Sequence, residues 1–125
     1  MFIDVNEFKK INDTYGHMTG DEMLKSIATV LQKMVKETAQ VDRLSGDEFV
    51  ILQKMQNGEG AEELCSRIHH AFEAPFFQDG HHIPVSLSIG VCEFEFGQRD
   101  FVSILDEADQ EMYKAKNMRK VRLQS

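Results

Sequence analysis

Apolar residues along this chain switch between two spacings, and the switches mark its elements. Met1, Phe2 and Ile3 form a short apolar run that ends at Asp4, which reads as a strand closing on a carboxylate. Phe8, Ile11 and Tyr15 then recur at helical spacing, with Asn6 expected as the N-cap and Gly16 as the C-terminal stop. Lys9 and Asn12 share a face of that helix away from the apolar stripe. A second helix is expected to open at Thr19, whose spacing to Glu22 fits a capping box, with Leu24, Ile27, Ala28, Leu31, Met34 and Val35 as its buried stripe. Asp21 falls in its first turn, where the helix dipole alone favours a carboxylate.

Two β-type runs follow, one around Val41 and Leu44 and one over residues 49–52, and the turn between them has Gly46 at its tip. This predicts a β-hairpin. A plain hairpin has no need of adjacent carboxylates at the start of its returning strand, yet Asp47 and Glu48 stand there. Side-chain alternation would send them to opposite faces. Residues 56–60 read as a loop. A third helix then turns Leu64, Cys65, Ile68 and Phe72 inward and stops before Pro75. Phe76 and Phe77 begin a short strand that turns at Asp79 and Gly80. Residues 85–91 alternate apolar with small side chains, so that the face of Ser86, Ser88 and Gly90 admits a close neighbour. Phe101, Ile104, Leu105, Ala108, Met112 and Ala115 give a fourth helix, ending in Lys114, Lys116, Arg119, Lys120 and Arg122. Such cations suit a helix C-terminus, and a polyphosphate equally.

The order of elements, βααββαβ with a closing helix, predicts an α+β fold of ferredoxin-like or palm type, with a mainly antiparallel central sheet and flanking helices. At 125 residues the chain is one domain, 1–125, long enough for a continuous core. A net charge of −7 argues against a nucleic-acid-coating surface, although carboxylates can still hold a nucleotide through a divalent cation. No apolar run has membrane-spanning length and no secretory pattern opens the chain, so no membrane contact by this segment is expected. Cys65 and Cys92 lack zinc-site spacing and read as reduced thiols of a cytoplasmic protein. The pairs His69–His70 and His81–His82 match no ligand spacing and read as surface or interface residues.

The candidate chemistry lies in the acids. Asp4 and Asn6 fit the first two positions of a calcium loop, but Lys9 stands where that loop's sharp turn needs glycine. A strand-end carboxylate followed by a helix N-terminus suits a metal-bound phosphate better. In a ferredoxin-like sheet the first strand neighbours the hairpin, bringing Asp4 towards Asp47 and Glu48. Two or three carboxylates so placed are what metal-assisted nucleotidyl transfer needs.

Four segments together resemble the GGDEF-type diguanylate cyclases. Residues 4–21, DVNEFKKINDTYGHMTGD, are similar to that family's DxDxFKxINDxxGHxxGD. Residues 45–49, SGDEF, resemble its signature, and SIGV at 88–91 and ADQEMYKAK at 108–116 resemble two further motifs in matching order and spacing. The resemblance implies Mg²⁺- or Mn²⁺-dependent condensation of two GTP into cyclic di-GMP and pyrophosphate across a transient homodimer, with an upstream sensory domain in the full-length protein. By position it implies Asp4, the Val5 carbonyl, Asp47 and Glu48 as metal ligands, with Asp47 and Glu48 as the catalytic acids. It further implies Asn12 and Asp21 at the guanine edge, and the helix start at Glu7, Phe8 and Lys9 at the terminal phosphates with Lys116 and Lys120. Ser45 and Gly46 would lie against the ribose and α-phosphate.

The departures from the family pattern are informative. Ser45 replaces the signature's first glycine, and a strained φ there would cost about 1 kcal/mol. Asn6 replaces the second aspartate of the first motif. Residues 36–39, KETA, stand where the family often has an RxxD feedback site, so that site is expected to be absent. Lys120 keeps the charge of the family's arginine without its bidentate fork. The family's leading helix and DxLTGLxNR turn are missing, so the chain reads as the latter part of a domain. Two alternatives stand beside the cyclase: a GTP-binding regulatory module without turnover, controlling an attached sensor or phosphodiesterase domain, and a palm-like domain acting on another nucleotide.

Overall fold

The computed structural model describes residues 1–35, 39–54, 60–95 and 97–124, with the side chains at 45 and 120–124 outside the description. The expectations for residues 36–38, for most of the 56–60 loop and for the Ser45 and Lys120 side chains therefore lie outside the described residues. Ten elements run in order: β1 (Phe2–Val5), α1 (Phe8–Tyr15), α2 (His17–Met34), β2 (Gln40–Ser45), β3 (Glu48–Leu52), α3 (Ala61–Ala71), β4 (Phe76–Gln78), β5 (His81–Ile83), β6 (Leu87–Gly90) and α4 (Phe101–Gln124). The main sheet has the order β2-β3-β1-β6, and every neighbouring pair is antiparallel. This is the ferredoxin-like α+β arrangement expected from the element order. Among the described residues β4 and β5 pair only with each other, through a turn in which Asp79 (φ 50°) and Gly80 (φ 81°) both take the left-handed conformation that suits a tight hairpin.

Alternation along β1 assigns its residues to two layers. Ile3 and Val5 face a large core with Phe49 and Ile51 of β3, Leu87, and the inward residues of the first three helices: Phe8, Ile11, Met23, Leu24, Ile27, Leu31, Leu64 and Ile68. Phe2 faces the other way, into a smaller cluster with Val50, Cys92, Ile104, Ala108 and Met112, which is roofed by α4. A Cβ on Gly90 would lie 2.0 Å from the Ala108 carbonyl oxygen and 2.2 Å from the Met112 nitrogen. At Gly90 the expected small-residue face is thus occupied by the α4 backbone.

Several local expectations are corrected. Glu7, not Asn6, caps α1, in a left-handed conformation (φ 55°) and without a side-chain cap bond. Asn6 is drawn instead into a buried network: its Nδ2 donates to Ser86 Oγ and its Oδ1 accepts from Ser88 Oγ, each at 2.7 Å. α2 begins at His17 with Gly16 as its N-cap, so Thr19 is no capping residue and Asp21 lies beyond the first turn. The Thr19 hydroxyl donates to Asp79 Oδ2 at 2.6 Å, tying α2 to the β4–β5 turn. Phe101, expected inward, is exposed at the start of α4, and Cys65 is only half-buried.

Candidate active site

Asp4 shares the α4-facing side of β1 with Phe2, and that parity decides its surroundings. It is 4% exposed, and Lys116 Nζ, reaching down from α4, donates to its Oδ2 at 2.5 Å. A carboxylate so buried is tolerable because a cation is paired with it. Asp47 lies in the hairpin turn beside Gly46 (φ 45°), a left-handed position that favours glycine. The Asp47 carbonyl accepts from the Val5 N–H at 3.1 Å, which pins the turn to the end of β1. Its carboxyl lies near enough to Asp4 for the two charges to repel. Burial, and then the Asp4 charge, push the Asp47 carboxyl above its ordinary value, against the pull of Lys116. The hydrogen bond to Asp4 holds the Lys116 ammonium above the usual lysine value, with the Asp47 charge acting in the same direction.

The structure therefore brings Asp4 and Asp47 together. Glu48 is the cross-strand partner of Asp4 in the β1–β3 register and is half-buried, with interactions of its own. Among the described residues no three His, Cys, Asp or Glu side chains close into a group able to hold a metal ion. Asp4, Asp47 and the Lys116 ammonium form one cluster at the end of β1. Lys116 supplies on Asp4 positive charge that offsets the two facing carboxylates.

Other expected site residues fall where α1 and α2 meet. Phe8 is a core residue, so the α1 start offers a ligand its backbone N–H groups rather than this side chain. Lys9 is exposed, and its neighbour Lys10 pairs with Glu7 at 3.1 Å, which lowers the Glu7 carboxyl. Asn12 lies one turn along α1, about 6 Å beyond Phe8 on the helix rise. Its Oδ1 is buried against α2 with no hydrogen-bond partner, while the residue as a whole is half-buried. Asp21 is exposed on α2. Sequence reading missed the Asn6–Ser86–Ser88 network and the contact of Asn12 with Gly20; a glycine inside a helical pattern was the available signal for the second.

Hard oxygen donors, a buried carboxylate and a second carboxyl of raised proton affinity beside it suit a divalent cation such as Mg²⁺, which takes one or two carboxylates along with substrate phosphates. No helix among the described residues is long and apolar enough to cross a membrane.

Comparison with known proteins gives one consistent answer. The family described as diguanylate cyclase, GGDEF domain matches residues 1–122. Diguanylate cyclase DgcP of Pseudomonas aeruginosa is 35% identical over 98% of this chain and 18% of its own length. A diguanylate cyclase of Vibrio cholerae is 37% identical over 91% of this chain and 35% of its own. The chain thus spans about a fifth to a third of these relatives. Among solved structures, the GGDEF domain of TpbB from Pseudomonas aeruginosa matches with a TM-score of 0.85 at 36% identity, over 94% of this chain and 74% of that one. The active GGEEF domain of a diguanylate cyclase from Vibrio cholerae matches with a TM-score of 0.79 at 36% identity, over 93% and 74%. Sheet order, motif spacing and a match along almost the whole length agree that this chain belongs to the GGDEF domain family.

Proposed function

We propose that this domain is a diguanylate cyclase, joining two GTP into cyclic di-GMP with release of two pyrophosphates. The observation that carries the reading is the meeting of Asp4 and Asp47 at the end of β1, beside the start of α1 and under Lys116. Asp4, Asp47, Glu48 and the Val5 carbonyl would hold Mg²⁺ or Mn²⁺ with the nucleotide. A bound divalent cation supplies charge neutralisation of the phosphates.

The remaining work falls to the chain itself. The first backbone N–H groups of α1 meet the terminal phosphates, and Lys116 and Lys120 add positive charge there. Asn12 and Asp21 bind the guanine edge, while Ser45 and Gly46 lie against the ribose and α-phosphate. In each of two equivalent steps the 3′-oxygen of one GTP bonds to the α-phosphorus of the other. The bond from that phosphorus to the bridging oxygen breaks, pyrophosphate leaves, and the hydroxyl proton passes to Asp47 or Glu48. Each protomer of a transient homodimer presents one nucleotide, and an upstream sensory domain in the longer protein brings the protomers together.

Incubation with GTP and Mg²⁺ should yield cyclic di-GMP from the wild type and none from Asp47→Ala. Absence of product from the wild type would contradict the cyclase reading. The second reading, a GTP-binding module without turnover, is favoured by Lys116 already neutralising Asp4. Tight GTP binding with no product would select it.

A further inference from the structure

Gly20 is a buried glycine inside α2, where alanine is ordinarily the better helix former. Its conformation does not explain it: the residue is helical, and its N–H makes a regular bond to the Gly16 carbonyl at 3.0 Å. Space does. A Cβ on Gly20 would fall 1.8 Å from Asn12 Oδ1, 3.0 Å from Asn12 Cγ and 3.2 Å from Phe8 Cζ. Phe8 is fixed in the core, so the group that would have to move is the Asn12 amide. That amide sits with Oδ1 buried and unpartnered, in a pose that no hydrogen bond among the described residues maintains. The bare α-carbon of Gly20 is what admits it.

We propose that Gly20 is a specificity-positioning residue: by lacking a side chain it seats the Asn12 amide where it reads a purine base, so that guanine selection is set jointly by α1 and α2. The inference rests on the nucleotide reading above and deepens it. Residues 19, 20 and 21 then divide three tasks on one turn of α2. Thr19 anchors the β4–β5 turn, Gly20 seats Asn12, and Asp21 faces solvent beside it.

The test uses α,β-methylene analogues of GTP and ATP, which cannot release pyrophosphate, titrated with Mg²⁺ by calorimetry into the wild type, Gly20→Ala, Asn12→Ala and the double variant. Gly20→Ala should lower the guanine-over-adenine preference by about tenfold, the worth of roughly one hydrogen bond. Asn12→Ala should lower it comparably, and the double variant should be no worse than Asn12→Ala alone. Melting should show the same coupling, with Gly20→Ala destabilising the wild type and sparing the Asn12→Ala background. Should Gly20→Ala fail to fold, a folded double variant with the Asn12→Ala preference supports the proposal, and an unfolded one overturns it. An unchanged preference in Gly20→Ala, or an equal loss in both backgrounds, overturns it while leaving the nucleotide reading intact. A wild type that binds neither analogue overturns both.

Discussion

The two faces of the sheet are built from alternate residues of the same strands, yet they are different materials. On the face of α1, α2 and α3, Ile3, Val5, Phe49 and Ile51 enter a wide core of branched and aromatic side chains. On the α4 face, Phe2 and Val50 share a thin seam with Gly90 and Ala108, and the same face carries the polar group Asp4 under Lys116. The first face is held by side chain packed against side chain. The second is held by backbone against backbone at Gly90 and by an ion pair, so it tolerates almost no added volume. Stability resides mainly in one parity of β1 and chemistry in the other.

Four substitutions sharpen that contrast. Gly90→Val should have the largest effect, because its Cβ meets backbone that cannot rotate away, and we expect a loss of at least about 3 kcal/mol in urea unfolding. Ile27→Ala, at a fully buried position on the wide face, should cost about 2–5 kcal/mol by cavity formation, while leaving the Asp4–Lys116 pair intact at its neutral-pH geometry. Asn6→Ala should cost about 1–3 kcal/mol, because buried Ser88 loses its acceptor.

The smallest shift should come from Asp47→Asn, and its sign is opposite. A carboxyl whose folded pKa is raised favours the fold below its ordinary value, and that contribution is lost as pH rises through the raised value. At neutral pH the ligand-free Asp47→Asn protein should therefore be more stable than the wild type by about 0.5–1 kcal/mol, after allowance for solvent screening, while making no product. Equal stability of the two proteins from acid to neutral pH would break the assignment of a strained carboxyl pair.

Much of this architecture was legible in the residues. Helical spacing in Leu24, Ile27 and Leu31 and alternation over residues 85–91 placed α2 and the β6 region, because burial on one face leaves a periodic trace. The Asp4–Asp47 meeting followed from topology alone, since β1 must lie beside the hairpin in this strand order. Caps were misjudged for a different reason. Asn6 and Thr19 have side chains able to cap a helix, but both find partners about sixty to eighty residues away, Ser86 and Ser88 for one and Asp79 for the other. Local sequence cannot weigh a distant competitor. The Lys116–Asp4 pair was hidden likewise, being separated by more than a hundred positions and joined only when α4 roofs the sheet.

The central claim is that Asp4 and Asp47 form one divalent-cation site. Mn²⁺ titration followed by water-proton relaxation, with α,β-methylene GTP present, tests it most directly. The account predicts binding to the wild type that weakens at least about tenfold in Asp4→Asn and in Asp47→Asn, both folded by circular dichroism. Undiminished Mn²⁺ affinity in both variants would contradict it.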